Sequence, residues 1–246
     1  MVGIKYKVNE NFFSKWSPNM AYLLGYIYAD GDLNDSPYMR GKYISVASID
    51  KDSIERVRKW LNSEHTIKET RSQFIGSKTC YVLRIGSHKI YNDLFKIGLY
   101  PNKSLSIRFP KIPAKYIGHF IRGYFDGDGC IYFEKRKGKK GQIIVSRIRV
   151  IFTSGSKIFL EAMDKELKNL GIENGKIYVS KRSYQAVYNN ENSIRMFKLM
   201  YKNTGINSFF MRKFNVFKDY FEWRPVHIDR TIKNILSFRN TGHVVK

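Results

Sequence analysis

Two segments of this 246-residue chain repeat one another. Residues 21–33 read AYLLGYIYADGDL and residues 119–131 read HFIRGYFDGDGCI. Gly25 falls on Gly123, Tyr26 on Tyr124, Asp30 on Asp128 and Gly31 on Gly129, a spacing of 98 residues. Stacked solenoid units run to about 20–50 residues, so this period suits two halves of a duplicated fold. The stretches downstream of the two segments correspond as well. A strand-like stretch at 42–49 leads into an amphipathic helix over 51–62, and a strand at 142–154 leads into a helix over 156–171. Ile54, Val57 and Leu61 recur at helical spacing, as do Ile158, Leu160, Met163 and Leu167. Strand pairs at 66–72 with 79–86, and at 175–181 with 184–189, come next, and short helices near 87–97 and 192–202 close each half.

The expected architecture is α+β, with two pseudo-symmetric αββαββα halves and their leading helices packed together at a central two-helix interface. The boundaries read 1–104 for the first half, 105–115 for a proline-bearing linker without helical period, 116–221 for the second half and 222–246 for a C-terminal extension. Within that extension HIDRTIKNILSFR suits a last helix, and NTGHVVK a fraying end.

The repeated segments place carboxylates where a helix disfavours them. Ser17-Pro18 is an N-cap with proline at the first helical position. The helix then runs to about Ala29 and ends at Asp30-Gly31, with glycine in the usual C-cap role. A second helix ends at Gly127-Asp128-Gly129. The C-terminal end of a helix carries partial negative charge, so an Asp there is unfavourable unless a cation joins it. Gly25 and Gly123 sit mid-helix, at about 1 kcal/mol each relative to Ala. Close helix–helix approach explains both. It would bring Asp30 and Asp128 together beside carbonyls that lack intrahelical partners. Carboxylates with carbonyl oxygens form a hard-cation site suited to Mg²⁺, and such metals act in phosphodiester hydrolysis.

Charge names the partner class. Forty-four Lys and Arg against 21 Asp and Glu leave +23, an excess that a polyanion would balance. No apolar run approaches the ~20 residues that span a bilayer, and the N-terminus lacks the apolar core of a signal peptide. Cys80 and Cys130 are isolated, with no metal-pair spacing and no disulfide framework. A reducing, intracellular compartment and no membrane partner are the expectations.

Leu23-Leu24-Gly25-Tyr26-Ile27-Tyr28-Ala29-Asp30-Gly31 and Ile121-Arg122-Gly123-Tyr124-Phe125-Asp126-Gly127-Asp128-Gly129 resemble the paired motifs that name the LAGLIDADG family, of the monomeric two-motif type. The resemblance implies a homing endonuclease whose halves each lay a curved antiparallel sheet, as a saddle, in the DNA major groove. It makes Asp30 and Asp128 the metal ligands, with the carbonyls of Ala29 and Gly127 beside them. It also implies Mg²⁺ as cofactor, with Mn²⁺ substituting and Ca²⁺ binding without supporting cleavage. Cleavage would cross the minor groove and leave short 3′ overhangs in a long target. The family's basic residue near each scissile phosphate would be Lys103 and Lys213, and a residue tuning the attacking water would be Asp50 or Ser154. Tyr28 replaces the motif's earlier acid in the first half, and Arg122 stands at a usually small position in the second.

Strand alternation then assigns a DNA-facing surface. Ile144, Ser146, Ile148, Val150 and Phe152 fall on one face of the 142–154 strand, and Arg147, Arg149 and Thr153 on the other. Ile44, Val46 and Ser48 share the equivalent core face in the first half, leaving Tyr43 and Ser45 outward. Lys68, Arg84, Lys176, Tyr178 and Arg182 extend the surface, and Lys135, Arg136, Lys137, Lys139 and Lys140 form a basic hairpin tip. Tip lysines add salt-dependent affinity, whereas Arg147 and Arg149 suit guanine contacts. Double-stranded DNA bound by a monomer is the favoured reading. An intron-RNA-binding maturase and a noncatalytic DNA-binding regulator are the alternatives. The initial Met and the lack of splicing-domain flanks disfavour an intein-embedded form.

Overall fold

The computed structural model describes residues 6–36, 41–71, 78–205 and 208–237. The elements run α1 (Pro18–Asp30), β1 (Gly31–Ser36), β2 (Gly41–Ser48), α2 (Lys51–Trp60), β3 (Ile67–Arg71), β4 (Thr79–Gly86), α3 (His88–Ile97) and α4 (Ile117–Asp128). They continue with β5 (Gly129–Lys137), β6 (Ile143–Ser154), α5 (Lys157–Asn169), β7 (Lys176–Ser180), β8 (Ser183–Asn189), α6 (Glu191–Tyr201), α7 (Met211–Trp223) and α8 (Arg230–Ser237). The fold is α+β, with two four-stranded antiparallel sheets of the same order, β1-β2-β4-β3 and β5-β6-β8-β7. No helix among the described residues is long and apolar enough to cross a membrane.

The chain forms two compact units, Met1–Gly127 and Asp128–Lys246. Helix α4, which the repeat pairs with the second sheet, therefore packs in the first unit. The expected last helix is present as α8, while 240–246 lies outside the described residues.

Helix α1 is covered on every side. Ser17 caps it, accepting from the Met20 amide at 3.1 Å, and every residue from Met20 to Tyr28 is buried, the mark of an interior helix. Its cover within the unit includes α4, and the contact is reciprocal. A Cβ added at Gly25 would overlap the carbonyl of Phe120, and one at Gly123 would overlap the carbonyl of Tyr22. Each glycine meets the residue three before the other. The missing side chains thus let backbone touch backbone along a local twofold. At the helix ends a Cβ on Gly127 would meet the Ala29 methyl and lie 3.2 Å from Asp30 Oδ2.

Gly31 departs from the expected C-cap role. Its φ of −94° and ψ of 157° are extended, so it already begins β1. Glycine is needed there for space, because a Cβ would come within 2.5 Å of Ile27 Cγ2.

The two sheets repeat their core columns. Gly31, Val46, Leu83 and Ile67 lie across the first sheet, and Gly129, Phe152, Ala186 and Ile177 across the second. Buried Ile44, Val46, Leu83 and Ile85 form the core face in unit one, where α2 contributes Ile54 and Val57 and α3 contributes Ile90 and Leu94. In unit two α5 presents Phe159, Leu160, Met163 and Leu167. Ile158, expected on that buried stripe, is 58% exposed, and Phe159 takes its place. Phe197 of α6 stacks with Phe214, Phe217 and Phe221 of α7 at ring separations of 4.9–5.7 Å.

Arg122 is accommodated by a buried polar network in the first unit. It is 1% exposed. Its guanidinium lies 5.0 Å from the centre of the Tyr22 ring and donates to His119 Nδ1 at 3.0 Å. Tyr22 Oη donates to Asp126 Oδ2 at 2.7 Å. Burial first, and then the Arg122 charge, hold the His119 imidazole down at about 4. A histidine depressed in the folded state takes up protons more readily when unfolded, so stability rises with pH across that window. Thermal unfolding should therefore show full stability above about pH 6.5 and a progressive loss as pH falls toward 4. His119→Gln, which still offers Arg122 an acceptor, should flatten that part of the profile. An unchanged slope would remove His119 as its source.

Candidate nucleic-acid interface

Each motif carboxylate stands in solvent at the end of a helix that is buried along most of its length. Asp30 closes α1 and Asp128 closes α4, and both are exposed. Tyr26, one turn before Asp30, is buried. Burial and then the Asp30 charge raise its phenol above the ordinary value, with Ser48 and Ser53 opposing, so it remains neutral.

The donor set fits a hard divalent cation. Asp30 and Asp128 each offer carboxylate oxygen at the end of their own helix, beside Ala29 at the end of α1 and Gly127 at the end of α4. Among the described residues no group of three or more His, Cys, Asp or Glu that could hold a metal is present. That sparse set suits Mg²⁺, which keeps several waters and shares its shell with substrate phosphates.

Lys103 and Lys213 are 5% and 6% exposed, and among the described residues no other lysine is buried. One lies in each unit. Lys103 begins a short 3-10 turn whose carbonyl accepts from Ser106 and Ile107, while Lys213 lies in the first turn of α7. In a chain of abundant surface lysines, burial sets these two apart.

Asp50 and Ser154 do not occupy matching places. Asp50 caps α2, accepting from the Asp52 amide at 3.1 Å, and its counterpart is Ser156, which caps α5 by accepting from the Phe159 amide. Ser154 instead accepts from the Ser156 amide, as Ser48 does from Asp50, each at 3.1 Å. The expected correspondence was out by two residues, and all four side chains hold strand–helix corners.

The sheet face opposite the helices carries most of the expected DNA-facing residues. In unit one, cross-strand rows place Asp32, Ser45 and Arg84 together, then Asn34, Tyr43 and Gly86, then Ala47, Val82 and Lys68. Arg84 Nε donates to Ser45 Oγ at 3.4 Å. In unit two the equivalent face bears a depression of about 510 Å³, lined by Tyr132, Arg147, Arg149, Lys176, Tyr178 and Gln185 among others.

A β-bulge changes part of the expected pattern. Phe133 pairs with Ile148 but Lys135 pairs with Val145, so Ser146 and Arg147 together oppose Glu134. Alternation therefore reverses, and Val145, rather than Ile144 or Ser146, is buried with Ile148. Lys135 shares the core side of the ladder, its ammonium 5.0 Å from the Trp223 ring centre and 5.3 Å from that of Phe133. Lys137 lies on that side by register, and Arg136 on the open one. Lys139 and Lys140 form the exposed tip, and Arg182 lies in the turn between β7 and β8 rather than on a strand. Sequence reasoning missed Asp32 and Asn34 on β1, and Tyr132, Gln185 and Asn189 beside the arginines. Extending the alternation across the ladder from Arg149 would have found Tyr132 and Asn189.

Residues 115–201 match the LAGLIDADG-like domain. The whole fold matches I-LtrWI, a LAGLIDADG homing endonuclease bound to target DNA, with a TM-score of 0.58 at 13% identity, over 94% of this chain and 98% of that one. The chain has the LAGLIDADG fold. A variant of I-DmoI in complex with its target DNA in the presence of 2 mM Mg is similar as well, with a TM-score of 0.52 and 18% identity over 80% of this chain and all of that one. Among curated proteins, reverse gyrase of Methanocaldococcus jannaschii is 25% identical over 197 residues, which is 78% of this chain and 10% of that protein. The chain thus spans about a tenth of that relative's length.

Proposed function

We propose that this LAGLIDADG chain is a site-specific homing endonuclease that hydrolyses both strands of a long DNA target and depends on Mg²⁺. One observation carries the reading. Carboxylates stand in solvent at the C-terminal ends of two glycine-notched helices, where the helix dipole disfavours them and a cation favours them. A divalent cation there supplies Lewis acidity to a phosphodiester. Asp30 and Asp128 would each offer a carboxylate to such a cation, beside the carbonyls at the end of its own helix. Lys103 and Lys213 each place a fixed positive charge for a phosphoryl group in its transition state. Mn²⁺ should substitute for Mg²⁺, and Ca²⁺ should support binding alone. The open sheet faces hold the duplex, and the protein acts as a monomer inside the cell.

The test is incubation of a randomised duplex library with purified protein and Mg²⁺, with Ca²⁺ and chelator as controls. Mg²⁺-dependent double-strand cuts at one motif support the reading. Specific retention without cutting would replace it with a regulator, and neither result would redirect the search to structured RNA. Because many phosphates are engaged, affinity should fall by roughly 10³–10⁵ between about 50 and 200 mM salt. A flat response in a salt titration would contradict an extended basic surface.

A further inference from the structure

The two arginines on the open face of the second sheet do different work. Arg149 sits in a row with Tyr132 on one neighbouring strand and Asn189 on the other. Its Nη1 donates to Tyr132 Oη at 2.7 Å, its Nε donates to Asn189 Oδ1 at 3.1 Å, and its Nη2 lies 3.2 Å from Glu134 Oε1. The guanidinium also lies 5.7 Å from the Tyr132 ring centre. All three of its nitrogens are engaged, and its charge is met by a carboxylate. Arg147, two residues earlier, stands exposed within the bulge and lines the same depression, with no partner among the described residues. Bulges re-aim side chains, and this one gives Arg147 a place in the depression without a neighbour to hold it.

We infer that Arg147 is the residue of this sheet that reads a guanine, through the paired donors of its guanidinium, and that Arg149 is a positioning residue that fixes Tyr132 and Asn189. The inference rests on the proposed DNA-binding function and names a determinant of its specificity. Guanine presents two acceptors, O6 and N7, along one edge in the major groove, and a guanidinium meets both at once. An arginine already committed to a carboxylate, a phenol and an amide must loosen that cage to do the same. By donating to Asn189 Oδ1, Arg149 occupies the acceptor end of that side-chain amide. Asn189 is thereby left as a donor rather than as the paired donor and acceptor that adenine requires. Glu134 is otherwise an odd residue on a phosphate-binding face, and holding Arg149 accounts for it.

The experiment is selection of bound duplexes from a randomised library, with chelator present so that binding alone is read. Base preferences are compared for the unaltered protein, Arg147→Ala, Arg147→Lys, Arg149→Ala and Glu134→Ala, and each variant's melting curve is recorded. Arg147→Ala should erase preference for guanine at one position, a change of about 5- to 150-fold against the other bases. Arg147→Lys should erase it too while keeping the salt dependence, since lysine retains charge without the fork. Arg149→Ala should leave that guanine in place and alter preference at neighbouring positions. Glu134→Ala, by freeing Arg149, should add a guanine preference absent from the unaltered protein. Unchanged preference in folded Arg147→Ala, or loss of the same guanine in Arg149→Ala, would overturn the assignment. A protein that retains no sequence selectively in its unaltered form would overturn the DNA-reading function along with it.

Discussion

Asp30→Asn, or Asp128→Asn, should yield a folded protein that binds its DNA target and does not cut both strands. Both carboxylates are exposed, so neither substitution opens a cavity or strands a buried group. Each removes negative charge from the C-terminal end of a helix, which by itself favours the fold by about 0.3–1 kcal/mol. The melting temperature should hold or rise slightly. Cleavage is another matter, because an amide oxygen binds a hard divalent cation far less well than a carboxylate does. Losing the metal's several kcal/mol of transition-state stabilisation lowers the rate on the order of 10³-fold or more. The measurement is double-strand cleavage of a plasmid carrying the selected target, beside a gel-shift titration of the same duplex. Full-rate cutting by either variant would end the metal assignment. Loss of binding alongside cutting would instead make the carboxylates structural.

The largest effect on stability should come from Gly25→Ala or Gly123→Ala. Alanine is the better helix former by about 1 kcal/mol, so on an exposed helix either change would stabilise. Here the new methyl would overlap a backbone carbonyl of the facing helix, and a carbonyl locked in a helical ladder cannot swing aside as a side chain can. Overpacking with side-chain relief costs about 1–3 kcal/mol, so a clash with backbone should exceed about 3 kcal/mol, a large share of the roughly 5–15 kcal/mol that keeps a domain folded. Thermal melts of the two variants should show a drop of more than ten degrees or no cooperative transition. Gly171→Ala serves as the control. That glycine has φ +77° with open space beyond it, so its cost is only the strain of a left-handed residue, about 1 kcal/mol. Similar melts for all three would mean that the helix pair has slack.

The parts of this architecture that could be read beforehand are those in which a side chain's chemistry and its periodicity agree. Gly25 and Gly123 stand at matched places in two long apolar runs, and only a close helix crossing rationalises both. Val46, Phe152 and their neighbours alternate cleanly, so the sheet cores followed. The αββαββα pattern calls for strand β1, but its place was not apparent because GDLNDS is polar, an outer strand held by its register to β2. The face assignment before Ile148 failed at the bulge, since one extra residue inverts alternation and leaves no trace in composition. The aromatic helix α7 (Met211–Trp223) was not foreseen, because the helix near 192–202 already closed the second half. It forms core because Phe214, Phe217 and Phe221 meet Phe197, a contact between segments with no repeat to flag them. Of the candidate site, the places of Asp30 and Asp128 at helix C-termini were legible from the sequence. The division of labour between Arg147 and Arg149 was not, because it depends on Glu134 reaching along the ladder.

The assignment of α4 to the first unit means that the duplicated halves seen in sequence are not the bodies seen in space. A gene fragment ending at the proline-bearing linker would encode α1 without its mate, with a notch at Gly25 opening onto water. The natural cover for such a notch is a second helix carrying the same notch, and the fragment itself supplies one in every other copy. Joining two halves in one chain therefore does more than tether them. It lets each half drift toward its own sequence, as Arg122 and Tyr28 already show, while sparing the cell a sticky half-molecule that would pair with itself.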